Sequence, residues 1–185
     1  MKVLALAEST PATTTALEVE LRSQVRFADR VAWAAADAVR SCLHASIGLI
    51  ETNPDDIGVI AICGQGPVTT LREVALVAQE VLASPLRFPA ASPGSIAALA
   101  CISAGAKGPS LCLVMTPTAG IRVAMDIARV WLAGEHALLT FIVICANDTT
   151  ARAALLGPEE TDDDPRLSTF DLWLAHISNE GERGL

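Results

Sequence analysis

Three features of this chain could do chemistry: five thiols, a strand-to-helix corner at Thr116-Pro117, and an acidic run from Gly157 to Pro165. The corner is the most telling. Ser110 to Met115 reads as an apolar strand running straight into a helix over Thr118 to Ala133. Enzymes of α/β architecture often mount a nucleophile at such a corner, because helix-terminal N–H groups and the helix dipole favour developing negative charge. Here Thr116-Pro117 offers neither a thiol nor a free N–H at the second position. Proline suits the first helical position, and Thr116 before it is expected to cap the helix through its hydroxyl.

The thiols read as structural. Cys42, Cys63, Cys101, Cys112 and Cys145 each lie in an apolar stretch without any C-x-x-C spacing, which predicts buried, reduced side chains. Cys112, inside its strand, is expected to be buried; Cys63, at a strand end beside Gly64 and Gly66, is the better candidate for reactivity. His44, His136 and His176 are scattered without ligand spacing, so no metal site is expected, and no cofactor either. Gly64-Gln-Gly66 lacks a third glycine and runs into Pro67, which makes it a tight turn and not a dinucleotide loop. Glu159, Glu160 and Asp162 to Asp164 form an unconstrained charge run of the kind that is ordinarily solvated. Arg122, Asp126 and Arg129 are spaced by four and three on the corner helix, so an ion-pair cluster is available there. The plainer reading is a surface pair of little energetic consequence.

Composition narrows the class. At 185 residues and 51% hydrophobic content, the chain can bury a full core as one domain. A net charge of -8, two lysines (Lys2, Lys107), eleven arginines and no basic run argue against a nucleic-acid partner. Ala137 to Ala146 is too short to span a bilayer, and the N-terminal apolar run stops at Glu8, so it reads as a first strand rather than a signal peptide. A cytoplasmic protein without a membrane segment is the expectation.

Further elements follow from periodicity. Val3 to Ala7 and Ile57 to Cys63 read as strands, and Ala137 to Cys145 as the last clear one. Leu17 to Phe27 reads as irregular or a short helix. From Ala28, a helix places Val31, Ala34, Ala35, Val39, Cys42 and Leu43 on one face, with Arg30, Asp37 and Arg40 elsewhere. Thr69 to Ala83 is an amphipathic helix, and Gly94 to Gly105 is small, apolar and helix-like. Leu167 to Ile177 reads as a short amphipathic segment and Ser178 to Leu185 as a polar tail. Alternating strands and helices predict an α/β fold: a mixed sheet covered by helices on both faces. Residues 1–156 form the domain, with 157–185 an acidic loop and C-terminal segment.

Several stretches carry a family resemblance. Ser84-Pro-Leu-Arg-Phe-Pro, Ala-Ala-Ser-Pro-Gly-Ser-Ile-Ala-Ala-Leu-Ala, and Ala106-Lys-Gly-Pro-Ser-Leu111 resemble the N-terminal half of a β-ketoacyl synthase. Gly120, Arg129 and Ala133-Gly134 keep a similar spacing, and Asp29-Arg30 resembles the family's early helix. The resemblance implies a thiolase-like half-domain over roughly Met1 to Asp148. It also implies a degenerate nucleophile corner at Thr116, Pro117, Thr118 and Gly120, with Pro117 where the family has its cysteine. The family's two catalytic histidines belong to a second half, and neither His136 nor His176 sits in a matching motif. No catalytic residue is therefore expected.

Synthases of this family dimerise through the strand before the corner, which implies an interface at Ser110, Leu111, Cys112, Leu113, Val114 and Met115. The expected function is a non-catalytic, chain-length-factor-like subunit in polyketide or fatty-acid biosynthesis. Its expected partner is a second copy, a ketosynthase or an acyl carrier protein. The alternative is an acyl-transfer enzyme completed in trans by a chain supplying the missing histidines.

Overall fold

Two seven-residue runs, Ile57–Cys63 (β2) and Leu139–Cys145 (β4), are apolar at nearly every position and buried along their whole length. Such strands need cover on both faces. The computed structural model describes residues 1–21, 23, 25, 27–46, 53–80, 85 and 87–158. Around the two buried strands stand β1 (Lys2–Glu8), α1 (Pro11–Leu21), α2 (Arg30–Ala45), α3 (Val68–Glu80), α4 (Gly94–Ala104), β3 (Ser110–Val114), α5 (Pro117–Ala133) and β5 (Ala151–Gly157). The sheet runs β1-β5-β4-β2-β3. β4, β2 and β3 are parallel, whereas β5 is antiparallel to both of its neighbours. This is the mixed sheet with helices on both faces that the sequence predicts.

Alternation splits the core in two. Val59, Ala61, Cys63, Phe141, Val143 and Cys145 point to the face covered by α2 and α4, while Ile60, Ile62, Ile142 and Ile144 point to the face covered by α5. Alanine makes the first face possible. α2 is buried from Val31 to Val39, and five alanines in that stretch let α4 and the sheet approach closely. The Ser103 hydroxyl donates across to the Ala36 carbonyl at 2.9 Å.

α1 corrects two expectations. The helix begins at Pro11 and ends at Leu21, earlier than the Leu17 to Phe27 segment suggested. It covers Asp37, which the sequence places away from the apolar face and the structure buries. The Thr13 and Thr14 hydroxyls donate to the Asp37 carboxylate, and Arg40 pairs with Glu20 at 2.9 Å. Burial of a carboxylate is tolerated because it is hydrogen-bonded.

β5 is the other difference, because Leu139–Cys145 is not the last strand. Ala151-Arg-Ala-Ala-Leu-Leu-Gly157 is alanine-rich and of low strand propensity, but pairing on both sides and burial override that preference. Most of the acidic run, and all of Leu167 to Leu185, lie outside the described residues. Among the described residues no helix is long and apolar enough to cross a membrane.

One carboxylate ties α2 to α3 near the C-terminal end of β2. Asp29 is buried; its Oδ1 accepts from the Val31 N–H at 3.2 Å, capping α2, and its Oδ2 accepts from the Thr70 N–H at 2.8 Å, in the first turn of α3. Replacing Asp29 by alanine removes both acceptors, and a loss of about 2–3 kcal/mol is expected in urea unfolding, with Asp29→Asn retaining part of it. Cys42, fully buried, gives a second expectation. Burial pushes its thiol from 9.0 up to about 12, against a weaker opposing hydrogen bond to the Leu155 backbone. The unfolded thiol ionises from about pH 9 while the folded one stays neutral, so stability falls between pH 9 and 12. The alkaline slope should be shallower in Cys42→Ala, measured as urea midpoints across that range.

Candidate functional site

The corner is set by small residues that allow close approach. Before it, the Lys107-Gly108-Pro109 turn seats β3 beside β2. Lys107 N–H donates to the Pro54 carbonyl at 2.8 Å, Gly108 N–H to Ile57 at 3.1 Å, and Val59 N–H to Pro109 at 2.9 Å. A Cβ at Gly108 would stand 2.6 Å from the Ile57 carbonyl oxygen, so only glycine fits. After it, Pro117 opens α5 at its first turn, and the Thr116 carbonyl accepts from the Gly120 N–H at 2.8 Å. Gly120 is buried, and a Cβ there would lie 2.4 Å from Cγ2 of Ile62. The first turn of α5 therefore rests directly on β2.

Thr116 does not cap the helix as expected. Its backbone has the extended conformation of a cap residue, but its side chain makes no capping hydrogen bond. The residue is exposed, and water can serve the first N–H groups of the helix there. Thr118 is exposed and Pro117 half-buried, so the corner opens onto the surface without a thiol.

β3 forms one border of the sheet. Among the described residues it pairs with β2 alone, from Val59↔Ser110 to Cys63↔Val114. Leu111, Cys112 and Leu113 are half-buried, Cys112 and Leu113 against the core, and Val114 is 49% exposed. Met115, expected to belong to the strand, lies just past it. The opposite border, β1, carries Lys2 and Glu8 at its ends and a register shift between Val3 and Ala5. Charge and irregularity blunt an edge, and β3 has neither.

The thiols divide sharply. Cys42, Cys63 and Cys145 are buried, while Cys101 and Cys112 are only half-buried, Cys112 on a strand that among the described residues has a neighbour on one side alone. Burial pushes the Cys112 thiol up to about 11, and the nearby Cys63 charge adds to this. Cys63 goes the other way, down to about 6, chiefly through its hydrogen bond with Cys145 and also through the Gln65 and Gly66 N–H groups, against burial. The Gly66 N–H stands 3.2 Å from the Cys63 sulfur, in a turn where Gly66 takes a positive φ of 68°. Cys145 is driven well up, as the proton-holding partner in a fully buried place.

That pairing was hidden in the sequence. Both strands are seven residues long and end in cysteine, but only the parallel register brings Cys63 opposite Cys145. Elsewhere, Asp126 and Arg129 pair at 2.8 Å, both exposed, an arrangement worth little. Among the described residues no cluster of three or more histidine, cysteine or acidic side chains could hold a metal ion.

No protein-family model and no curated protein sequence matches this chain. Solved structures do. The ishigamide ketosynthase/chain length factor superposes with a TM-score of 0.66 at 12% identity, over 88% of this chain and 63% of that one. A ketosynthase in complex with its chain length factor, from Xenorhabdus doucetiae, gives 0.57 at 14% identity over 85% and 79%. A type II PKS acyl-carrier protein in complex with its ketosynthase bound to the hexaketide gives 0.60 at 14% identity over 84% and 62%. The chain has the thiolase-like ketosynthase fold. It spans less than two thirds of the matched chain in two of these structures. In the Xenorhabdus complex the shared region fills similar fractions of both chains, so the two are close in length.

Within that fold the corner's geometry rests on Gly108 and Gly120, not on any polar side chain. Thr116→Ala should therefore change stability by less than about 0.5 kcal/mol, because no capping bond is lost. Gly120→Ala should cost about 1–3 kcal/mol by forcing α5 off Ile62. Thermal or urea unfolding of the two variants checks both.

Proposed function

We propose that this chain is a non-catalytic, ketosynthase-like subunit that pairs with a ketosynthase and supports acyl-chain assembly of the polyketide or fatty-acid kind in the cytoplasm. One observation carries the reading. The apolar edge strand β3 lacks the charge, bulge or proline that would protect it, and it leads into a corner with proline at its head. Among the described residues no strand pairs with the outer side of β3, so half-buried Leu111, Cys112 and Leu113 and an exposed Val114 offer a row of backbone groups to another strand. Ser110 to Met115 would form the contact, and Thr116, Pro117, Thr118 and Gly120 would keep the corner's shape without its chemistry.

The similar structures support this reading, since two of them are named as ketosynthase with chain length factor and a third as an acyl-carrier-protein complex. The corner supports it too. A proline at the first helical position removes the N–H that an oxyanion site would use there, and no thiol replaces it. Support of a catalytic partner is what this geometry can do.

Affinity purification of the tagged chain from its own host, with partners identified by mass spectrometry, tests the reading. Recovery of a ketosynthase is the expected result. Val114→Lys places a charge on the bare edge at an exposed position and should lower that recovery at least tenfold, while circular dichroism stays unchanged. Recovery of the chain alone, unaffected by Val114→Lys, would overturn the pairing.

A further inference from the structure

Cys63 and Cys145 are the last residues of two adjacent parallel strands, and they stand directly opposite each other in the register. Their side chains point to the same face, packed against α2 and α4. In-register neighbours on adjacent strands lie about 4.8 Å apart. A disulfide needs Cα atoms within roughly 4.4–6.8 Å. Both cysteines are free in this structure.

We propose that Cys63 and Cys145 form a peroxide-responsive dithiol that closes reversibly into a disulfide across β2 and β4. The pair has an attacking member and a resolving member. Cys63 ends under the Gly64-Gln65-Gly66 turn, whose Gly66 N–H points at its sulfur from 3.2 Å. Backbone donors and the Cys145 thiol stabilise its anion. Asp29, on the N-terminal cap of α2, opposes that anion, and Cys112 on β3 lies near enough to feel it. Cys145, wholly enclosed, keeps its proton until needed. Cys63 keeps 5% of its surface exposed at the end of β2, beside the exposed Gly64 and Gln65.

The chemistry balances in two steps. The Cys63 thiolate attacks the terminal oxygen of a peroxide; the O–O bond breaks, and hydroxide or alkoxide leaves and takes a solvent proton. The sulfur is oxidised by two electrons to a sulfenic acid. Cys145 then attacks that sulfur, the S–O bond breaks, and water leaves with the Cys145 proton. Two cellular thiols reverse the bond by successive exchange: the first opens it to a mixed disulfide, and the second frees the remaining cysteine and leaves as the oxidised thiol pair. In a reducing compartment a disulfide of this kind is a transient signal and not a permanent brace.

Oxidation also has a mechanical consequence. The thiolate that the Gly66 N–H addresses is consumed, and that turn leads straight into α3. α3 is lightly held. Val74 is its one buried side chain among those described, and the Asp29–Thr70 hydrogen bond fixes its first turn. Disulfide closure therefore loosens the seat of α3.

The test treats the reduced wild-type protein with hydrogen peroxide at neutral pH, quenches with an alkylating reagent in denaturant, and maps cysteine peptides by mass spectrometry. A Cys63–Cys145 linked peptide is expected, formed at least tenfold faster than any oxidation of Cys42 or Cys112 and reversed by dithiothreitol. Backbone amide exchange over Val68 to Gln79 should quicken in the oxidised form. In Cys145→Ser, dimedone should trap a sulfenic acid on Cys63; in Cys63→Ser, Cys145 should remain a free thiol. The wild-type map stands alone if either variant fails to fold. Recovery of both cysteines as free thiols, or of Cys63 joined to Cys112, would overturn the proposal.

Discussion

Burial of β2 and β4 on both faces is the constraint from which the rest of this molecule follows. Each strand presents one row of side chains to α2 and α4 and the other to α5, so neither can exchange its neighbours or slip in register. A one-residue slip would trade Val59, Ala61 and Cys63 for Ile60 and Ile62 and misfit both layers at once. The sheet can therefore change only at its borders. β1 is blunted by charge and a register shift, and among the described residues β3 has no strand on its outer side.

The same register gathers the polar groups at one end of the sheet. Cys63, Cys145 and Asp29 all lie where the parallel strands finish, and the corner at Thr116 follows from β3 at the same level. Backbone N–H groups serve the acceptors there: those of Val31 and Thr70 meet Asp29, and that of Gly66 meets the Cys63 sulfur. Helix starts and tight turns supply such donors without added charge, which suits a chain with few lysines.

Catalytic residues are not what holds the ketosynthase geometry here. Gly108 lies against the Ile57 carbonyl and Gly120 against Ile62, so β3 and α5 keep their places by close approach of backbone. Proline at the head of α5 then costs nothing structurally, because the first helical N–H has no partner within the helix. A corner headed by proline keeps its shape for this reason.

The sequence by itself determined the α/β class, strands over Ile57 to Cys63 and Ala137 to Cys145, helices from Ala28 and from Thr118, each within two residues of the observed start, and the absence of a thiol at the corner. Local chemistry fixes these: apolar runs, caps, proline and glycine act over a few residues. β5 was not legible, because its alanines favour a strand only once β1 and β4 flank them. Asp37 read as an outward residue until α1 was seen to lie over it. The capping role expected of Thr116 failed because hydroxyl geometry depends on exposure as well as residue type. Only the tertiary structure could decide that Cys63 faces Cys145. Their 82-residue separation carries no signal, and the parallel register that joins them is set by burial of the two strands between layers of helices.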